Sequence, residues 1–176
     1  MEEAKVKFGT DGIRGTVGTF PITPEAFSIV GRACRQWLQQ HNLPLKLAIG
    51  WDTRASGAEL ARAFARGFGQ GEIVFLKVTP TPAISFYVAQ TGCSLGVSIT
   101  ASHNPYTDNG LKLFKQSGSK LSVAEEMEIE ALCHQNVCDE MPDFLLKLAN
   151  GSAYYLESFK KQFPQNCFRG KKIVLD

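Results

Sequence analysis

Apolar residues recur along the chain with two different periods, and the switches between them predict alternating strands and helices. Leu45-Lys46-Leu47-Ala48-Ile49-Gly50, Glu72–Val78 and Leu95-Gly96-Val97-Ser98-Ile99 are short, mostly apolar runs that predict buried strands. Lys5-Val6-Lys7-Phe8 and Leu111-Lys112-Leu113-Phe114 alternate with period two and predict two more. Between them the period lengthens. Ala26, Phe27, Val30, Ala33, Cys34, Trp37 and Leu38 fall on one helical face, so Trp37 reads as core. That helix starts at Thr23-Pro24-Glu25, with a capping hydroxyl, a proline at the first helical position and an acid in the first turn, and runs to about Gln40.

Ser56 with Glu59 predicts a capping box opening a helix through about Phe68, and Ser122 with Glu125 predicts another, running to about Val137 with a solvated acidic face at Glu125, Glu126, Glu128 and Glu130. Pro82 opens a helix reaching about Gln90. Asp139–Asp143 breaks the acidic helix, and Ser152–Phe163 is a further amphipathic helix with Tyr155, Leu156 and Phe159 inward. Gly67-Phe68-Gly69-Gln70-Gly71 has the composition of a phosphate loop, but it follows a helix and precedes a strand, the reverse of the order such loops need; it reads as a helix stop. The expected fold is α/β: a three-layer α/β/α domain with a mixed, mostly parallel sheet. The sheet is mixed because the strands around residues 95–99 and 111–114 are joined without a helix and should be antiparallel. Residues 1–150 read as one domain, and 151–176 as a connecting helix and the first strand, Lys171–Asp176, of a second.

Composition narrows the class. With 176 residues, 44% hydrophobic and 20% charged, the chain has the make-up of a globular domain. A formal net charge of +2 with bases and acids interleaved points to neither nucleic acid nor membrane as partner. No apolar run approaches a bilayer span, and Met1-Glu2-Glu3-Ala4-Lys5 is too acidic for a signal peptide, so a cytoplasmic location is expected. Cys34, Cys93, Cys133, Cys138 and Cys167 are odd in number and widely spaced, which suits free thiols in a reducing compartment. Cys133, His134 and Cys138 make a poor metal set, because a helix turns positions five apart onto different faces.

The candidate chemistry lies in Thr100–Phe114, a polar loop between two apolar runs. Ser102 should sit just past a strand's C-terminal end, where open α/β sheets place their ligands. Asn104-Pro105 stiffens its presentation. His103, adjacent in an extended segment, should point away from the Ser102 side chain, and no G-x-S-x-G elbow is present, so a hydrolase couple is not expected. Asp108-Asn109-Gly110 reads as the tight turn that returns Lys112 towards Ser102, and a lysine directed at a serine suits phosphoryl chemistry. Upstream, Gly9-Thr10-Asp11-Gly12-Ile13-Arg14-Gly15 lets backbone lie close to a ligand and offers the Arg14 fork to a phosphate. Asp52 and Arg54, beyond another strand end, read first as an internal ion pair.

Taken together, Ser102-His103-Asn104-Pro105, Asp108-Asn109-Gly110 and Lys112 resemble the serine loop of the α-D-phosphohexomutase family. Phe8–Gly15, Pro21-Ile22-Thr23-Pro24, Gly50–Gly57 and Pro80-Thr81-Pro82-Ala83 agree with that family in order, and the resemblance covers the whole chain. The spelling of Phe8–Gly15 and Tyr106–Gly110 looks most like the bacterial branch acting on glucosamine phosphate. The resemblance implies a phosphosugar mutase in which Ser102 carries the phosphoryl group and, through that phosphate, ligates Mg²⁺. Lys112 would be the general acid/base, with His103 as second candidate, and Arg14 and Asn104 would bind phosphate. The implied reaction is glucosamine 6-phosphate to glucosamine 1-phosphate, with mannose or glucose phosphate as other substrates the same family takes. A non-catalytic binding module is the alternative from another class. Members are four-domain enzymes, so the resemblance also implies that the Asp-rich metal loop, the sugar loop and the C-terminal phosphate loop lie in missing C-terminal domains, and that these residues alone do not turn over.

Overall fold

The computed structural model describes residues 5–10, 12–135 and 144–174. The elements in chain order are β1 (Ile13–Thr16), α1 (Pro24–Gln40), β2 (Lys46–Trp51), α2 (Gly57–Phe68), β3 (Gly71–Val78), α3 (Thr81–Thr91), β4 (Leu95–Ile99), β5 (Asp108–Lys115), α4 (Val123–Cys133), β6 (Phe144–Leu148) and α5 (Gly151–Gln162). They build a six-stranded sheet in the order β1-β5-β4-β2-β3-β6. β2 is parallel to β3 and β4, β3 is parallel to β6, and β5 runs antiparallel to both β4 and β1. The sheet is therefore mixed and mostly parallel, as expected.

Period-two alternation distributes the strand residues between two cores. Leu47, Ile49, Ile73, Val97, Leu111 and Leu113 pack with α1, α2 and α4 on one face, while Ala48, Val74 and Leu76 meet Ile84 and Val88 of α3 on the other. That is the three-layer α/β/α arrangement. The Thr23 hydroxyl accepts from the Ala26 N–H at 3.2 Å at the start of α1, and Trp37 is buried in the core. Gly69 ends α2 in the left-handed region at φ 60°, so the Gly67–Gly71 run is a helix stop. Helices α1 and α2 approach closely enough that a Cβ at Gly31 would lie 2.1 Å from the Phe64 carbonyl oxygen, and one at Gly67 1.8 Å from that of Ser28.

Several local expectations are corrected. Lys5–Phe8 is not a ladder strand: Val6 is buried in the core and the Phe8 N–H donates to the Glu130 carboxylate of α4. The edge strand is instead Ile13–Thr16, within the glycine-rich stretch. Gly12, at φ 90°, makes this possible, because a Cβ there would lie 2.1 Å from the Leu111 carbonyl oxygen. The Ser56 capping box does not form. Ser56 is already helical at φ −76° and ψ −12°, and its hydroxyl accepts from Asn109 Nδ2 at 2.8 Å instead. The Ser122–Glu125 box does form. β6 was not expected, since Phe144-Leu145-Leu146-Lys147-Leu148 alternates with no period. As an edge strand it leaves Leu145, Leu146 and Leu148 exposed. α5 packs on α3 through Tyr154 and Tyr155 against Phe86, but Leu156 and Phe159 are exposed rather than inward. Residues 171–174 pair with no described strand; Leu175, Asp176, Val137, Cys138 and Asp139–Asp143 lie outside the described residues.

The acidic face of α4 is an anchoring surface more than a solvated one. Trp37 Nε1 donates to Glu128 Oε2 at 2.7 Å, and His41 Nε2 lies 2.9 Å from the same oxygen. The Trp37 and His41 contacts hold the Glu128 carboxyl below its ordinary value. A depressed carboxyl stabilises the fold above its unfolded pKa and loses that contribution as pH falls through the folded one. Glu128→Ala is accordingly expected to lower the melting temperature at neutral pH, with the difference from the parent vanishing below the ordinary carboxylate range of about 4. Thermal scans across pH check it; a difference independent of pH would contradict it.

Cys34, Cys93 and Cys133 are buried free thiols, and burial pushes Cys133 up to about 12. No group of three or more His, Cys, Asp or Glu able to hold a metal occurs among the described residues. No described helix is long and apolar enough to cross a membrane.

Candidate active site

β4 is buried along its whole length and delivers the chain to the C-terminal edge of the parallel strands, where Thr100 begins the serine loop. The reversal falls within residues 102–107, earlier than expected. Asp108-Asn109-Gly110 are the first residues of β5, paired with Thr16, Gly15 and Arg14 of β1. Their turn-like composition serves close packing. A Cβ at Gly110 would lie 2.4 Å from the Ile13 carbonyl oxygen and 2.8 Å from that of Thr100. Asn109 is fully buried, donating to Ser56 and accepting from the Gly110 N–H at 2.8 Å.

This register decides which side chains meet. Gly110 and Lys112 share a face of β5, and Arg14, opposite Gly110, shares it with them. Lys112 Nζ donates to Ser102 Oγ at 3.0 Å, and Arg14 Nη2 donates to the same oxygen at 3.4 Å. Arg14 Nη1 also reaches Asn104 Oδ1 at 3.3 Å. Asn104 Nδ2 donates in turn to Asp108 Oδ2 at 3.0 Å, and Thr16 Oγ1 to Asp108 Oδ1 at 3.0 Å. Of the residues singled out in the sequence, Arg14, Ser102, Asn104 and Lys112 are thus brought together. His103 is not: it is exposed and makes no hydrogen bond with Ser102. The reason is not the extended backbone expected, because Ser102 itself is left-handed at φ 55°.

Asp52 and Arg54 form the expected ion pair, with Arg54 Nε 3.1 Å from Asp52 Oδ2. What sequence reasoning missed is the rest of the guanidinium. Arg54 Nη1 donates to the carbonyls of Pro105 and Asp108, the latter at 2.9 Å, and Nη2 to those of Ser102 at 3.1 Å and Asn104 at 2.8 Å. Thr100 Oγ1 donates to Asp52 Oδ2 at 2.7 Å and accepts from the Ser102 N–H at 3.0 Å. The only signal in the sequence was an Asp-x-Arg beyond a strand end on the same sheet edge.

Chemically, the site presents an exposed hydroxyl to solvent with an ammonium and a guanidinium aimed at its oxygen. That arrangement can hold a phosphoryl group on or against Ser102 and neutralise its charge. Among the described residues it does not make a Mg²⁺ cage by itself: Ser102 Oγ accepts from the cationic Lys112 and Arg14, and the Asp108 carboxylate is engaged by Thr16 and Asn104.

Residues 5–138 match the family described as phosphoglucomutase/phosphomannomutase, alpha/beta/alpha domain I. The chain is 43% identical over 177 residues to the phosphoglucosamine mutase of Granulibacter bethesdensis, covering 96% of this chain and 39% of that protein. It is 40% identical over 182 residues to the phosphoglucosamine mutase of Neisseria meningitidis serogroup A, covering 98% and 41%. The chain thus spans about two-fifths of the length of these relatives. A crystal structure described as a phosphomannomutase from Thermus thermophilus superposes with a TM-score of 0.84 at 26% identity, covering 97% of this chain and 39% of that one. The Paramecium phosphoglucomutase parafusin, in its open form, shares the fold at a TM-score of 0.71 and 22% identity, over 91% of this chain and 35% of its own. With the fold, the serine hairpin and these likenesses in agreement, the chain belongs to the phosphoglucomutase/phosphomannomutase family, whose alpha/beta/alpha domain I it carries.

Proposed function

We propose that Ser102 is the phosphoryl carrier of a phosphosugar mutase that interconverts glucosamine 6-phosphate and glucosamine 1-phosphate. The observation that carries this reading is the convergence of Lys112 Nζ, at 3.0 Å, and Arg14 Nη2, at 3.4 Å, on one exposed serine oxygen. In the first half reaction the sugar hydroxyl attacks the phosphorus on Ser102: the new O–P bond forms at sugar O1, the O1 proton passes to a base such as His103, the bond to Oγ breaks, and Lys112 supplies the proton Oγ needs. In the second, the reoriented bisphosphate returns its O6 phosphoryl to Ser102: the O6–P bond breaks, O6 takes the proton back from that base, and the Oγ proton leaves for Lys112. Arg14 and Asn104 steady the phosphoryl oxygens. His103, exposed beside Ser102, remains the second candidate for proton transfer, at the sugar hydroxyl.

Glucosamine is the sugar in the names of the relatives that are 40% and 43% identical. The second reading, a mannose phosphate substrate, is favoured by the Thermus structure at 26% identity. Mg²⁺ would meet this chain only through the oxygens of a phosphate on Ser102. Residues 1–150 would then be the serine-bearing domain and 151–176 the connection to a second. The remaining domains would complete the site, and these residues alone would not turn over. The test is intact mass: the full-length protein incubated with glucosamine 1,6-bisphosphate and Mg²⁺ should gain a single phosphoryl group, and Ser102→Ala should not. A phosphoryl group retained by the alanine variant would reject the assignment.

A further inference from the structure

We infer that Arg54, set by Asp52, is a positioning residue that fixes the backbone of the serine loop, and with it the direction in which Ser102 presents its oxygen. The inference rests on the reading of Ser102 as phosphoryl carrier. A guanidinium has five N–H donors in a fixed plane. Here all five are spent: Nε on the Asp52 carboxylate, and the two Nη groups on the carbonyls of Ser102, Asn104, Pro105 and Asp108. The side chain is only 10% exposed, so it lies under the loop rather than in solvent.

The two peptide groups flanking the Ser102 Cα are both tied to this pair. Its carbonyl accepts from Arg54 Nη2 at 3.1 Å, and its N–H donates to Thr100 Oγ1, which in turn donates to Asp52 Oδ2 at 2.7 Å. Between those two anchors Ser102 holds φ 55°, a conformation a serine adopts only where its surroundings impose it. The loop's own backbone bonds are few: Asn104 N–H to Ala101 and Asp108 N–H to Pro105, at 3.1 and 3.0 Å. Arg54 donates to backbone carbonyls and to Asp52, whereas Arg14 and Lys112 donate to Ser102 Oγ itself, which separates the roles. Those two meet the phosphoryl group; Arg54 shapes the loop that carries it.

Geometry therefore matters more than charge at this position, and lysine cannot replace arginine, because a single ammonium cannot span carbonyls presented across one plane. In the full-length protein, Arg54→Lys is expected to lower kcat about 100-fold, the scale on which a small displacement of a reacting group is felt, with KM for the sugar phosphate changed less than about threefold. Hydrogen exchange should rise across residues 100–108 while β4 and β2 keep their protection. Thr100→Val, which removes the acceptor of the Ser102 N–H together with the donor to Asp52 Oδ2, should shift kcat and loop exchange in the same direction and carries the test where Arg54→Lys fails to fold. Wild-type kcat and exchange in the folded variants would overturn the inference, as would a kcat loss accompanied by an equal rise in exchange throughout the sheet. Full turnover by Ser102→Ala would instead reject the carrier reading beneath it.

Discussion

Ser102→Ala in the full-length protein is expected to lower kcat by about 10⁴-fold or more, the scale seen when a covalent nucleophile is removed. The fold should survive, because the side chain is exposed and its main-chain ties to Thr100 and Arg54 do not involve Oγ. The sharper variant is Ser102→Thr. It keeps a hydroxyl, yet it places a β-branched side chain at φ 55°, where such residues are genuine outliers. The loop must either strain or relax towards negative φ, and relaxation swings the hydroxyl away from Lys112. A loss of about tenfold or more is expected for threonine, roughly the effect of 1.4 kcal/mol on a rate. Steady-state kinetics with sugar phosphate and Mg²⁺ decide both. A threonine variant at the parent rate would show that the left-handed backbone is not what aims the nucleophile.

The largest stability effect is expected far from the loop, where α1 crosses α2. Gly67→Ala would drive a methyl group to 1.8 Å from the Ser28 carbonyl oxygen and 2.6 Å from its carbon; Gly31→Ala would meet the Phe64 carbonyl oxygen at 2.1 Å. These are backbone atoms on the facing helix, so no rotamer change relieves the clash and the helices must separate. Each substitution is expected to cost about 3 kcal/mol or more, a fall in melting temperature of about 6–12 °C for a chain of this size. Gly92→Ala is the control. It sits at φ 67° with nothing within 4 Å, so it meets conformational strain alone and should cost about 1 kcal/mol. Urea unfolding measures all three, and equal costs at Gly67 and Gly92 would remove helix crowding as the explanation.

The parts of the fold that are legible in the sequence are those whose cause is local. Thr23 caps α1 with a residue three positions away, Ser122 and Glu125 satisfy one another, and β4 is apolar enough to be buried whatever surrounds it. The failures are places where a distant residue wins. Ser56 surrenders its capping role to Asn109, 53 residues later. Asp108-Asn109-Gly110 has the composition of a turn because three strands crowd together at Gly110, which needs the same small residue for a different reason. Lys5–Phe8 has a strand's alternation but spends its backbone on Glu130 of α4, and Phe144–Leu148 has no alternation because the edge it occupies leaves both faces partly open. The site divides in the same way. Ser102 and Lys112 were visible as a pair ten residues apart, whereas Arg54 as the support of the loop was not, since carbonyl acceptors carry no side-chain signature.

The reversed direction of β5 has a consequence for assembly. A serine and its ammonium partner on one hairpin are separated by only 10 residues, so their encounter closes a short loop at little entropic cost. The Arg54 contact to the Ser102 carbonyl spans 48 residues and the Arg14 contact to its hydroxyl spans 88, and both wait for strands β2 and β1 to join the sheet. A nascent hairpin can thus bring lysine to serine without the guanidinium groups that hold the loop and the charge. On the proposed reading of Ser102, competence to carry a phosphoryl group would arrive last, and would double as a report that the sheet is complete.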